Sequence, residues 1–282
     1  MPQTSQSDYE YRGLMAEAWD PLRGDTSNWP DRAFYLELVR ASGEPVLDVG
    51  CGTGRLLVDY ASQGIDIDGV DNSPEMLALC REKAAAQGLD PALFLQQMQA
   101  LELPRRYRTI IVPSSSFQLL TEPEDAREAL HRFHDHLDPG GRLAMSFMLM
   151  WSGPPQTAEQ AEKWHMRKRL GEREDWSPTA ALKNARRSSG QKTAVRRWSR
   201  ARYDSAAQLE HTEDRYEVLV DGEVVETEEF SRSPSARWYT QEQSLALVEA
   251  AGFEDVRLYS GFSQDTASAD DRIWTATATA AR

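Results

Sequence analysis

The chain has 282 residues, enough for a full α/β core plus an insertion, and 45 acidic against 32 basic side chains give it a formal charge of −13. That charge argues against a general nucleic-acid binder, whose affinity comes from neutralising phosphates. With no 18-residue apolar run, no apolar leader pattern from Met1 to Glu10, and only two cysteines (Cys51 and Cys80), a membrane span, a secretory signal, a disulfide framework and a metal site are all unexpected, and the expected location is cytoplasmic.

After an irregular start, residues 11–40 read as helical pieces broken at Asp20-Pro21, Gly24-Asp25 and Trp29-Pro30. They carry Tyr11, Trp19, Trp29, Phe34 and Tyr35, an aromatic cap. A strand is expected over 45–49, followed by Gly50, Gly52 and Gly54 around Cys51, and a helix from about Thr53. Glycine is needed where a backbone takes positive φ or a ligand approaches closely. The next apolar run, 67–70, stops at Asp71-Asn72. An acidic residue at the tip of a second strand lies where a ribose would sit, able to accept from both sugar hydroxyls. Together these features predict an adenosine-containing cofactor. Ser73 is a good helix N-cap and Pro74 suits the first helical position. Strands near 93–98, 109–112 and 142–148 flank a helix over 122–137. After about residue 240 a helix over 241–251, stopped by Gly252, precedes strands over 256–259 and 273–279.

The glycine spacing separates the adenosine cofactors. Gly54-Arg55-Leu56 lacks the Gly-Lys-Ser/Thr ending of a phosphate-binding P-loop, and G-x-G-x-G replaces the dinucleotide pattern G-x-G-x-x-G. S-adenosylmethionine (SAM) has no pyrophosphate to place. Its amino-acid end would lie over the turn, with Asp48 meeting the ammonium. Val46 to Arg55, Gly69 to Leu77, and His136 to Leu143 resemble, in this order, the motifs of class I SAM-dependent methyltransferases. The resemblance covers roughly 40–150 and resumes at about 240. It implies a Rossmann-like, doubly wound, seven-stranded, mostly parallel sheet, closed by an antiparallel last pair. It also implies a cofactor site of Asp48, Gly50, Cys51, Gly52, Gly54, Asp71, Asn72 and Met76, with Gln97 and Met98 at the adenine and Ser114 near the sulfonium. Trp19-Asp20 matches a family slot for an aromatic followed by Asp near the cofactor.

The segment over 150–239 departs from this pattern. Trp151-Ser152-Gly153-Pro154-Pro155 breaks the chain, and a helical, basic stretch is expected over 159–170. Alternating runs over 193–203, 208–220 and 223–230, with Asp221-Gly222 as a hairpin signal, predict an inserted antiparallel sheet. The expected organisation is a cap and cofactor-binding core over 1–149, a lid on the substrate side over 150–239, and the rest of the core over 240–282. Similar insertions occur in small-molecule members, including those that N-methylate nucleotide-linked amino sugars; a homodimer follows only by analogy.

The turn Pro113-Ser114-Ser115-Ser116-Phe117 holds no cysteine or carboxylate, so covalent cytosine chemistry and a catechol-type metal site are not expected. Trp19, Tyr35, Ser116, Trp151, Arg237 and Tyr239 are the candidate acceptor contacts. Tyr239, His165 and His211 are the candidates for a proton relay or base. His131, His134 and His136 do not converge on one point of a helix. The basic side chains between Lys163 and Arg202 mark either the side that receives an anion or a solvated face. The expected activity is direct, metal-free methyl transfer from SAM to a nitrogen or oxygen of a small molecule, leaving S-adenosylhomocysteine. The rivals are a non-catalytic SAM-binding sensor or partner protein and a nicotinamide-dependent oxidoreductase, the latter disfavoured by the glycine spacing.

Overall fold

The structure is a computed structural model that describes residues 11–166 and 193–281. Three short helices, α1 (Gly13–Glu17), α2 (Trp19–Arg23) and α3 (Pro30–Ser42), lead into β1 (Val46–Val49). Pro30 opens α3 at its first turn, where its missing N–H is not needed. Asp20 and Pro21 lie inside α2 and the break falls at Ala18, because proline is tolerated in a first turn.

The alternation then runs α4 (Leu57–Ser62), β2 (Ile67–Asp71), α5 (Pro74–Ala85), β3 (Leu93–Leu95), β4 (Tyr107–Val112), α6 (Pro123–His136) and β5 (Leu137–Met148). Helix α4 starts at Leu57 and not near Thr53, because Gly50, Gly52 and Gly54 hold φ of 71°, 55° and 78°, outside the helical region. Ser73 caps α5 as expected, accepting from the Met76 N–H at 3.1 Å. After the insertion come α8 (Gln241–Ala250), β10 (Phe253–Ser260) and β11 (Ile273–Ala280). Thr240 and Gln243 close a reciprocal capping box at the start of α8.

Seven strands make one sheet in the order β10-β11-β5-β4-β1-β2-β3, parallel from β5 to β3. β11 runs antiparallel to both β5 and β10, the closing pair that the resemblance implies. One face is buried with α6 and α8 through Phe117, Phe133, Phe147 and Trp274; the other with α3, α4 and α5 through Tyr35, Leu57 and Cys80.

Between β5 and α8 the chain forms α7 (Ala158–Ala161), β6 (His165–Met166), β7 (Thr193–Asp204), β8 (Leu209–Val220) and β9 (Glu223–Arg237). The last four make a separate sheet, β6-β7-β8-β9, antiparallel throughout. Asp221 and Gly222, at φ of 52° and 91°, make the expected hairpin turn. Of the helix expected over 159–170, the described residues show a single turn, and 167–170 lie outside them. His165 and Met166 leave it to pair with Ala201 and Arg200, since sheet pairing satisfies backbone groups at the β7 edge. The inner face of this sheet packs Val195, Tyr216, Val218 and Phe230 on Leu14, Met15 and Ala18 of the cap. Arg167, Lys168, Arg169, Arg173, Lys183, Arg186, Arg187 and Lys192, and the loop over 171–192 expected as a lid, lie outside the described residues.

Candidate active site

Parallel strands place all their carboxyl ends at one edge, so a crevice forms where the order reverses between β1 and β4. The glycine turn floors it. The Gly50 and Cys51 N–H groups donate to the Val70 carbonyl at 2.8 and 3.1 Å, folding the turn back over β2. A Cβ on Gly50 would lie 2.8 Å from Ser116, and one on Gly54 2.5 Å from the Cys80 sulfur. A Cβ on Gly52 would meet nothing within 4 Å. Gly50 and Gly54 are therefore small for packing, whereas Gly52 presents bare backbone to open space.

Two carboxylates meet this floor. Asp71 accepts from the Gly52 N–H through Oδ2 and from the Ser73 N–H through Oδ1, both at 2.9 Å. Burial raises its pKa, and these backbone N–H groups oppose the rise. Asp48 on β1 is 1% exposed and its Oδ1 has no hydrogen-bond partner. Burial lifts its pKa to about 7 against the pull of Arg55, with Asp71 and Asp31 adding to the rise. An orphaned buried carboxylate oxygen is costly, and a bound cationic group would relieve it. Cys51 is buried in the turn; its contact with Cys80, and then burial, raise its thiol pKa, so it stays protonated.

The cap is tied to the same turn. Asp20 accepts from the Thr53 hydroxyl at 2.7 Å and from Lys83 Nζ at 2.8 Å. Arg55 pairs with the buried Asp31. Trp19 lies against Tyr11, centroids 4.7 Å apart, with the Arg23 guanidinium 3.1 Å from its ring centroid. Neither Lys83 nor Arg23 was singled out by sequence, although Trp19 and Arg23 have the i, i+4 spacing that lets them meet on a helix.

On the adenine side, Asn72 follows Asp71 and is half-buried, and Met76 is wholly buried in the first turns of α5. Gln97 is exposed and accepts from the Gln99 amide at 3.4 Å; Met98 packs partly buried against the core. At the end of β4, Ser114 and Ser115 take positive φ of 57° and 58°, a conformation that is uncommon outside glycine. Ser114 is exposed, while the Ser115 N–H donates to Ser146 at 3.1 Å.

Several expected acceptor contacts have other work. The Ser116 hydroxyl donates to the Pro113 carbonyl at 2.8 Å and packs at Gly50, so it holds the turn. Arg237 donates from Nε to the Thr121 carbonyl at 2.7 Å and from Nη1 to the Ala207 carbonyl at 2.9 Å. Its guanidinium is a latch between the β4–α6 loop and the inserted sheet, not an anion holder. Gln118, which gave no sequence signal, completes that latch by bonding both Met148 main-chain groups and the Arg237 carbonyl. Tyr35 is enclosed by Phe34 and Phe262 and offers no exposed surface.

Tyr239 lies between Phe117 and Phe147 with its hydroxyl buried and unpartnered. Burial raises its pKa to about 12, which keeps it a donor and excludes it as a base near neutrality. Trp151, whose Nε1 donates to the Pro154 carbonyl at 3.2 Å, forms a ring cluster with His165 and Tyr203 at centroid distances of 5.6 to 6.4 Å. His211 is on the opposite face of the sheet, bonded to the Ser233 hydroxyl at 2.7 Å. Burial, helped by Arg202, lowers its pKa, so it is neutral but points away from the crevice. His136 and His134 are spent on the Leu103 N–H and the Phe253 ring.

Residues 46–141 match the family model described as "Methyltransferase domain". This segment is similar to that domain over its whole strand-and-helix alternation. A demethylmenaquinone methyltransferase of Thermus thermophilus is 32% identical over 137 residues, 48% of this chain and 59% of that protein. The chain spans about half the length of the curated relatives it matches. Two solved structures share the fold over nearly the whole chain. An S-adenosylmethionine-dependent methyltransferase from Clostridium acetobutylicum has a TM-score of 0.69 at 16% identity, covering 95% of this chain and 97% of its own. The sugar N-methyltransferase KedS8 from Streptoalloteichus sp has a TM-score of 0.66 at 18% identity and full coverage of both chains.

Proposed function

We propose that this protein is a SAM-dependent methyltransferase acting on a small-molecule acceptor, with an amine nitrogen as the receiving atom. The observation that carries the cofactor assignment is the unpartnered, buried Oδ1 of Asp48 beside the open face of Gly52. An ammonium would satisfy that carboxylate, and bare backbone lets the amino-acid end of the cofactor lie close. Asp71 keeps acceptor capacity for ribose hydroxyls while its backbone bonds fix its orientation. Exposed Gln97 and Ser114 and half-buried Asn72 and Met98 would contact the adenine side and the sulfonium end; Met76 would support them from beneath.

When bound, SAM supplies a methyl carbon on a cationic sulfur that leaves neutral. The protein's part is orientation and exclusion of water, which contributes ~7–11 kcal/mol in well-aligned cases. The likeness to KedS8 spans the inserted sheet as well as the core, which supports a lid over 150–239 and a small-molecule acceptor. The side chains support nitrogen over oxygen. Tyr239 stays protonated, His211 faces away, and the turn after β4 carries only serines. An amine arriving unprotonated needs no base from the protein. The proposal carries with it a cytoplasmic protein with no nucleic-acid partner.

Calorimetry with S-adenosylhomocysteine tests the cofactor site. Asp71→Ala is expected to weaken binding at least tenfold, and unchanged affinity would remove the ribose assignment. A labelled-methyl assay over amines, phenols and sugar nucleotides tests the acceptor class. Transfer to phenols alone would refute the amine assignment, and tight cofactor binding without turnover on any of them would favour a sensor.

A further inference from the structure

Arg23 is a partly buried cation of the cap with no hydrogen-bond or ion-pair partner among the described residues. Its guanidinium is stacked on Trp19 in a partly buried position, and no oxygen accepts from it. Its neighbours are committed elsewhere. Asp20 is taken by Thr53 and Lys83, Arg55 by Asp31, and Arg197 by Asp214 through two bonds at 2.6 and 2.8 Å. Burial, with Arg55 and Arg197 nearby, brings the Arg23 pKa down to about 10 against the opposing influence of Tyr11 and Asp20. It remains a full cation at neutral pH, with five unused donors in a planar fork.

A second observation comes from the inserted sheet. Arg197 and Ser199 share the inner face of β7, the face that packs on the cap. Ser199 is 4% exposed and Thr212, on the same face of β8, is 1% exposed, yet neither hydroxyl has a hydrogen-bond partner. Folded proteins keep few buried hydroxyls unpaired, because each costs free energy. Ser199 lies opposite Asp214, the carboxylate that holds Arg197. Helix α2, which carries Arg23, packs on β7, and at this seam Arg23 lies near enough to Arg197 to feel its charge; Ser199 is two residues further along the same face of β7. Asp20, one turn before Arg23, binds Thr53 of the glycine turn, so α2 borders both the inserted sheet and the cofactor crevice.

Building on the proposed methyl transfer, we infer that this seam recognises an anionic group on the acceptor, a carboxylate or a phosphate, held by the Arg23 fork with Ser199 donating a further hydrogen bond. The acceptor is then an amine that carries an acid at a distance from its nitrogen. Charge-assisted bonds to a planar fork give such a contact both strength and orientation. Ser199 lies on the inserted sheet, outside the matched domain, which ties the site to the acceptor and not to the cofactor.

The probes are phenyl phosphate and benzoate, titrated calorimetrically with and without saturating S-adenosylhomocysteine. One of the two binds the wild-type protein, and the stronger arm tells phosphate from carboxylate. Arg23→Met weakens that probe at least tenfold, while Arg23→Lys, which keeps charge but loses the fork, weakens it less. Ser199→Ala weakens it three- to fivefold with the melting temperature unchanged or raised, since an unpaired hydroxyl is removed. Arg200→Ala, on the outer face, leaves probe binding unchanged, and every variant keeps its S-adenosylhomocysteine affinity within twofold. The inference falls if neither probe binds, if Arg23→Met and Ser199→Ala both bind as wild type, or if Arg23→Met instead weakens S-adenosylhomocysteine tenfold. Arg23-dependent probe binding by a protein that ignores S-adenosylhomocysteine would uphold the anion site and refute the methyl transfer.

Discussion

Asp48 sets a conflict between stability and binding within one side chain. Its carboxyl titrates near 7 in the folded protein against an ordinary value of 3.8, so the folded state holds this proton more tightly than the unfolded chain. Its contribution to stability is therefore greatest below the ordinary value and is lost as pH rises through 4 to 7. Asp48→Asn is expected to raise the stability of the ligand-free protein at pH 8, by up to ~4 kcal/mol, and to change it little at pH 4, as read by urea unfolding. The same substitution should weaken S-adenosylhomocysteine binding and flatten its pH dependence, because only the ionised carboxylate answers an ammonium. In the wild type affinity should rise from pH 6 to pH 8. A less stable variant at pH 8, or a pH-independent wild type, would contradict this account. Gly52 makes the complementary case. Nothing within 4 Å would clash with its Cβ, but its φ of 55° disfavours branched side chains, and the added atoms would enter the crevice. Gly52→Val should cost roughly 1–2 kcal/mol of stability and abolish detectable cofactor binding, the second effect far exceeding the first.

At the scale of elements, the inserted sheet is joined to the core by two different means. Its inner face buries apolar side chains on α1 and α2, and its exit is pinned by Arg237 and Gln118. Arg237→Met keeps most of the packing but removes two charge-assisted bonds to carbonyls. The expected loss is about 2–4 kcal/mol, with faster hydrogen exchange at the start of α8 and unchanged S-adenosylhomocysteine affinity. A change in cofactor affinity without a change in stability would place Arg237 in the binding site after all. This latch also shows where sequence is informative. The glycine turn, the place of Asp71 at the end of β2, the Ser73 cap and the Asp221-Gly222 hairpin were legible because each depends on backbone geometry within a few residues. Gln118, Arg23 and strand β6 were not, because their roles exist only once segments distant in sequence have come together. Arg237 and Ser116 looked like ligand contacts by their chemistry, but distant carbonyls hold the Arg237 guanidinium and the Ser116 hydroxyl is taken locally by the Pro113 carbonyl.

For the whole molecule the question is where its charge acts. The net charge is −13, yet the strand of the inserted sheet richest in arginine, β7, looks like a polyanion site. The structure pairs those arginines: on the outer face Arg196 with Glu217 and Arg200 with Glu213 across to β8, and Arg202 with Glu162 just after α7, while Arg197 pairs with Asp214 on the inner face. An outer face of cross-strand opposite charges is neutral at the distance of a Debye length, about 8 Å at physiological salt, and offers a phosphate backbone nothing to neutralise. The protein should therefore pass through a heparin column at 150 mM NaCl and give no gel shift with duplex DNA. Retention would show that the sheet's arginines, or the basic residues between Arg167 and Lys192, act as a polyanion surface. A small acid escapes this repulsion for a geometric reason. Long-range repulsion from a net negative surface is screened by salt, whereas a half-buried guanidinium acts through contact, in a local dielectric well below that of water. Raising salt should accordingly weaken phenyl phosphate or benzoate binding only slightly, which separates a local pocket from an electrostatic surface.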